Sequence, residues 1–223
     1  MMTNLFSIFD PSTPNFMSSN WISIFSFLLF MPLTLWVSPS RLSTPFNMII
    51  DYVLSEFKPL IKKSPYVLLI SLSFFTMIVL NNVAGLLPYI FTATSHLTLT
   101  LSLALPIWSA IMLYGLLNNM SNILVHLIPQ GTPFILMPFM VVIETISNLI
   151  RPITLAVRLT ANMIAGHLLV TLLMSSTPLT PLILTPVLFM AQMGLASLEL
   201  AVAFIQAYVF SVLITLYAAE ASN

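Results

Sequence analysis

Between Arg151 and Glu199 the chain carries one fixed charge, Arg158, set in the apolar run LAVRLTANMIAGHLL from Leu155 to Leu169. An uninterrupted stretch of this kind belongs in a bilayer, and there an arginine near the middle costs about 2.5 to 3.5 kcal/mol even on lenient insertion scales. It cannot shed its proton, because a guanidinium pKa lies above about 12. A chain that keeps such a residue needs the charge, either for function or, more blandly, as a group that snorkels to the headgroups or pairs with a carboxylate inside a helix bundle.

The remaining sequence fits the same solvent. Charged residues make up 5% of the 223 and hydrophobic ones 59%, against about 25% charged in an ordinary soluble domain. The balanced net charge gives no support for nucleic-acid binding, and the absence of Cys removes disulfides, thiol chemistry and iron–sulfur ligation. MMTNLFSIFD has neither the basic region of a signal peptide nor the arginines of a transit peptide. The chain is therefore expected to enter its membrane by its own hydrophobic segments or to be made in the compartment where it stays.

Taken in order, a lead containing Asp10, Pro11 and Pro14 precedes a first apolar block, 21–37. Trp21 and Trp36 sit near its ends, where an aromatic belt is expected, so 21–37 reads as a transmembrane helix. Residues 41–63 differ in kind. Phe46, Ile49, Ile50, Val53, Leu54, Phe57, Leu60 and Ile61 recur at helical spacing among charged neighbours. Arg41, Lys58, Lys62 and Lys63 all fall here, leaving only Arg151 and Arg158 elsewhere. This predicts an interfacial amphipathic helix on the positive, inner side.

Blocks 66–87 and 97–117 are each long enough to cross, and the short connector from Pro88 to His96 makes them an antiparallel hairpin. Asn81 and Asn82 are expected to hydrogen-bond within the bundle. After the polar loop 118–133, with its PQGTP, come two longer blocks, 134–174 and 179–219. Each would run about 60 Å as one helix, against a hydrocarbon core of about 30 Å. Either block could be two crossings, but neither has an internal Gly/Asn/Ser cluster to mark a turn. Two long, strongly tilted helices are the preferred reading, and a curved partner surface would account for the tilt.

Helical phase sorts the polar residues. At about 100° per residue, Glu144, Asn148, Arg151, Arg158 and Asn162 share one stripe, with His167 on the opposite face. Gln192, Glu199, Gln206, Leu213 and Glu220 recur every seventh position on the last helix. Two such stripes on neighbouring helices suit a lined aqueous path; the alternative, interhelical hydrogen-bond glue, suits the Asn and Gln residues better than the Glu residues. If 41–63 lies inside, parity puts Glu144 toward the inner compartment and His167 with Glu199 toward the outer one. Arg158 then separates two half-paths.

LAVRLTANMIAGHLL, with ETISNLIRPIT (144–154) before it and ELAVAFIQAYVFSVL (199–213) after it, closely resembles subunit a of rotary ATP synthases, the mitochondrial branch in particular. The likeness also covers GLLPYIFTATSHL and PQGTP and is weakest over the first 65 residues. It implies an all-α integral membrane protein forming a single membrane domain, with five transmembrane helices and one interfacial helix. The last two form a tilted hairpin around a rotating c-subunit ring. In that family Arg158 faces the ring carboxylates, Glu199 and His167 line the inlet from the intermembrane space, and Glu144 lines the matrix outlet. Asn162 and Gln206 match positions flanking the arginine. Bacterial relatives carry an acid at the position of His167 and a histidine at that of Glu199, an exchange that fits mitochondrial forms. The implied partners are the c-ring, other membrane-sector and peripheral-stalk subunits and the lipid bilayer; the implied location is the mitochondrial inner membrane.

The residues also weigh against competitors. With no Lys after Lys63 there is no G-x-x-x-x-G-K-[ST], so no nucleotide is held by a P-loop and ATP chemistry falls to other subunits. Haem would want paired intramembrane histidines, whereas only His167 lies deep in an apolar block, with His96 and His126 near loops. No cofactor is expected, and the lack of an acid-rich cage favours protons over sodium. The alternative reading is a proton-coupled secondary transporter, although the repeated halves common in such folds are not visible.

Overall fold

A computed structural model describes residues 5–12, 19–32, 38–41, 43–61, 65–87, 89–118, 120, 124–125, 127–128, 133–181 and 183–222. Trp36, Lys62, Lys63, His126 and most of PQGTP lie outside the described residues. What is described is helical throughout, with no strand among these residues.

The first helical stretch begins as the 3-10 helix Ser19–Phe25 and continues as α1, Ser26–Phe30. It is shorter than the crossing expected over 21–37. Met31 is already extended, at φ −74° and ψ 120°, because Pro32 disfavours helical geometry in the residue before it. The rest of that block, 33–37, lies outside the described residues.

Helix α2, Ser43–Phe57, likewise stops short of the expected 63. Pro59 has no N–H to continue the ladder and crowds the carbonyl four residues back. Val53, Phe57 and Ile61 are buried, while Met48 and Tyr52 on the other side are exposed, as are Asp51 and Glu56. An apolar patch beside charges at one helix surface is what an interface with headgroups can satisfy.

Helices α3 (Pro65–Gly85) and α4 (Leu97–Asn118) are joined by a connector that carries a 3-10 turn, Ala93–Ser95. The connector starts at the surface, where Tyr89 is fully exposed, and then turns inward: Thr92, Ala93, Thr94 and Ser95 are all buried. Gly85 makes this possible, since a Cβ there would lie 2.8 Å from Thr92 Cγ2.

Each of the two late apolar blocks forms one continuous helix: α5 is Met137–Ser176 and α6 is Thr185–Ser222. Pro152 sits buried inside α5 without ending it. Helices α3, α4, α5 and α6, each long and apolar enough to cross a membrane, make this a multi-pass membrane protein. In lipid there is no hydrophobic gain from pairing apolar helices, so close packing depends on small side chains. Helix α6 supplies them at Ala203, Ala207, Ser211 and Thr215, every fourth residue and wholly buried. Its most extensive partner is α3, while α5 packs chiefly on α4. Phe75, Ile78, Leu155, Leu159, Phe210 and Ile214 close the common core.

Candidate functional site

The buried stripe of α5 is Pro152, Leu155, Ala156, Leu159, Thr160 and Met163, repeating at three and four residues as a packed helix face must. Arg158 lies roughly 130° round the helix from the centre of that stripe, at 100° per residue. It is therefore exposed, and it makes no ion pair or hydrogen bond to any described residue. Ile153, Val157, Ile205 and Phe204 are exposed apolar side chains on the same two helices. Arg158 and Gln206 line one shallow depression with Leu155, Leu159, Val209 and Phe210. Of the bland alternatives, pairing inside the bundle is thus not what the described residues do.

One stretch further along α5, a cavity of about 260 Å³ opens between α5, α6 and the end of α3. Asn162, His167, Glu199 and Gln206 all line it. His167 Nε2 and Glu199 Oε1 are buried there without a protein partner, and the cavity has room for several waters to serve them. The Phe9 ring, from the 3-10 helix Leu5–Phe9, stands edge-on to His167 at 6.4 Å. Gly166 is a member of this site that the sequence reading passed over. A Cβ there would collide with Glu199 Oε1 and lie 3.0 Å from Cδ and 3.1 Å from Cγ. Its missing side chain is what lets the Glu199 carboxylate lie against α5. A lone Gly within an apolar helix was the available signal, since it costs about 1 kcal/mol against Ala unless something needs the space.

Glu144 is not in this group. It accepts from Arg151 Nη2 at 3.3 Å, and Arg151 Nη1 reaches Glu220 Oε2 at 3.5 Å. The guanidinium also lies 5.0 Å from the Tyr217 ring centre, within cation–π range. Arg151 and Glu220 were in the stripes but not among the expected site residues. The i, i+7 spacing of Glu144 and Arg151 was readable; the reach to Glu220 was not, because it depends on the antiparallel register of α5 and α6.

The described residues hold no cluster of His, Asp and Glu arranged for a metal ion. The arrangement is instead a bare cation midway along α5, with a polar cavity on one side of it and an ion-paired acid cluster on the other. Fold and site together define a multi-pass helical membrane protein equipped to place charge inside a bilayer.

Comparison with known proteins agrees with that class. The ATP synthase A chain family matches residues 16–219. ATP synthase subunit a of Drosophila melanogaster is 58% identical over 222 residues, covering 99% of both chains. That of Drosophila simulans is 57% identical with the same coverage, and that of Anopheles quadrimaculatus 54% over 224 residues. The chain belongs to the ATP synthase A chain family.

Proposed function

We propose that the chain is the proton-translocating stator subunit of an ATP synthase membrane sector, multi-pass in the mitochondrial inner membrane. It contributes no nucleotide chemistry of its own and works with the catalytic and stalk subunits of the complex. The observation that carries this is Arg158: an exposed cation on an apolar helix face, with no described partner, needs an anion brought by another molecule. A ring of c subunits, each with a lipid-buried carboxylate, supplies one.

The mechanism follows from elementary electrostatics. A carboxylate in lipid is protonated, because desolvation penalises its anion. Beside Arg158 it ionises, because the opposite charge stabilises the anion. Each carboxylate passing Arg158 therefore gives its proton to one half-path and receives another from the other. Glu199 and His167, with Asn162 and Gln206 beside them, line the inlet; Glu144 lines the outlet. Arg158 also bars protons from running directly between the two. One charge crossing the membrane potential gains about 2.3 kcal/mol per 100 mV, which sets the direction of rotation.

In the membrane, 21–37 is the first of five crossings, 41–63 lies at the inner interface, and 66–87 with 97–117 form the upright hairpin. The long pair 134–174 and 179–219 is strongly tilted around the ring. At about 60 Å and 57 Å, helices of 40 and 38 residues fit a core of about 30 Å only by leaning or protruding.

Arg158→Ala separates this from the transporter reading. In vesicles carrying the whole complex it abolishes ATP synthesis and ATP-driven pumping, yet leaves a passive proton leak that a reagent for the ring carboxylate blocks. A transporter whose arginine holds substrate would lose every flux. Normal synthesis in the variant would remove Arg158 from the coupling step.

A further inference from the structure

The 3-10 helix Leu5–Phe9, LFSIF, precedes the stretch that the family match covers, which begins at residue 16. Five residues do not sustain a helix by themselves, so contact must hold this one. It packs against α5, and Asp10 clasps its end. The Asp10 N–H donates to the Ser7 carbonyl at 3.3 Å, and the Ser12 N–H donates to Asp10 Oδ1 at 3.0 Å. A carboxylate that accepts from the backbone two residues on is the turn Asp favours. Asn20 Nδ2 then donates to the Asp10 carbonyl at 3.4 Å. Asn20 belongs to Ser19–Phe25, which leads into α1, so the N-terminal turn is tied back to the bundle.

What the tie delivers is Phe9. Phe6, earlier on the same turn, is 69% exposed, whereas Phe9 is half-buried with its ring against His167. The two rings are 6.4 Å apart at 73°, the edge-to-face geometry that aromatic quadrupoles prefer. Phe9 is not among the residues lining the cavity before Glu199, while His167 is. The phenyl ring therefore backs the imidazole and leaves the cavity open.

His167 needs something of this kind. Its Nε2 is buried without a protein partner, and among the described residues no hydrogen bond holds the ring. The χ2 torsion of a histidine is broad, without steep staggered wells, so an unbonded imidazole is free to swing. Proton transfer requires heavy atoms within about 3.2 Å of each other, directly or through one water. A misplacement of about 1 Å can cost about a hundredfold.

We propose that Phe9 is a positioning residue for proton transfer through His167: the clasped N-terminal turn sets the phenyl ring edge-on to the imidazole and fixes the orientation in which it meets the cavity shared with Glu199. This rests on the proposed inlet role of His167 and Glu199. Phe9 itself carries no proton. An aromatic pair of this geometry biases an orientation by roughly two- to tenfold, and its loss slows transfer by about that factor.

The test reads proton-driven ATP synthesis per assembled complex, in membranes carrying the whole ATP synthase. Phe9→Leu keeps an apolar side chain and loses the flat ring, and synthesis falls several-fold. Phe9→Met, flexible enough to fill the same space, repeats the loss. Phe9→Tyr retains the ring and stays near the parent rate, as does Phe6→Leu on the exposed part of the turn. In a His167→Gln background Phe9→Leu adds no further loss, because no imidazole remains to be held. A turn that merely packs would show the opposite: its losses would multiply with those of His167→Gln. That result would overturn the proposal, as would parent-level synthesis in Phe9→Leu or an equal loss in Phe6→Leu. If His167→Gln lowers synthesis while Phe9→Leu does not, the positioning role falls and the inlet survives. If His167→Gln alone leaves synthesis unchanged, the inlet role of His167 has failed and the role of Phe9 fails with it.

Discussion

At the Glu144 end of the α5–α6 pair, two carboxylates share Arg151 under the Tyr217 ring, whereas at the other end Glu199 Oε1 and His167 Nε2 are buried with no protein partner. The chain uses similar side chains in both places and treats them oppositely. An acid paired with a fixed cation is structurally placed. An acid lining a polar cavity with free valences is open to whatever fills the cavity, so the proposed inlet and the proposed outlet present their acids in different states of pairing. Arg158 belongs to neither end, and its isolation is what makes it available to a partner.

The sharpest way to break the comparison is Glu199→Gln, which keeps the volume and removes the titratable group. Loss of a positioned proton-transfer group typically costs about a hundredfold or more, so proton-driven ATP synthesis should fall by about that factor while the complex still assembles. Unchanged synthesis would make Glu199 packing glue. Next comes Gly166→Ala, which pushes the Glu199 side chain off α5. Overpacking a tight site costs about 1 to 3 kcal/mol, and flux through the inlet should drop roughly tenfold, with Glu199→Gln adding little on top of it in a double variant.

The ion-paired end should respond less. Arg151→Gln leaves Glu144 and Glu220 without their cation, but Arg151 is 31% exposed and the Glu144 carboxylate 36%. Pairs that open are worth about 1 kcal/mol or less, so the thermal midpoint of the complex should fall by a few degrees and synthesis by a few-fold. Glu220→Gln should do least, within about 0.5 kcal/mol of the parent. Its carboxylate is 68% exposed and only 3.5 Å from Arg151. A large loss from Glu220→Gln with little from Glu199→Gln would invert the assignment of the two ends.

Much of this was legible in the chain. The apolar blocks over α3, α4, α5 and α6 were visible because hydrophobicity and length are local properties, and the stripe holding Glu144, Arg151, Arg158 and Asn162 followed from helical phase alone. Helix ends were less legible. Met31 is already extended ahead of Pro32, and α2 ends at Phe57 ahead of Pro59, so the described helices end before the apolar pattern does.

Two things belonged to tertiary structure. That Glu220 joins the Glu144–Arg151 pair cannot be read from one helix. The antiparallel register of α5 against α6 brings Glu220 to Arg151 and only Gln206 to Arg158. The space for Glu199, opened by Gly166 from the facing helix, is likewise invisible until the two are packed. Sequence set where each polar group sits on its own helix, since that depends on 3.6 residues per turn. Which groups cancel and which remain free was decided by pairing between segments far apart in the chain.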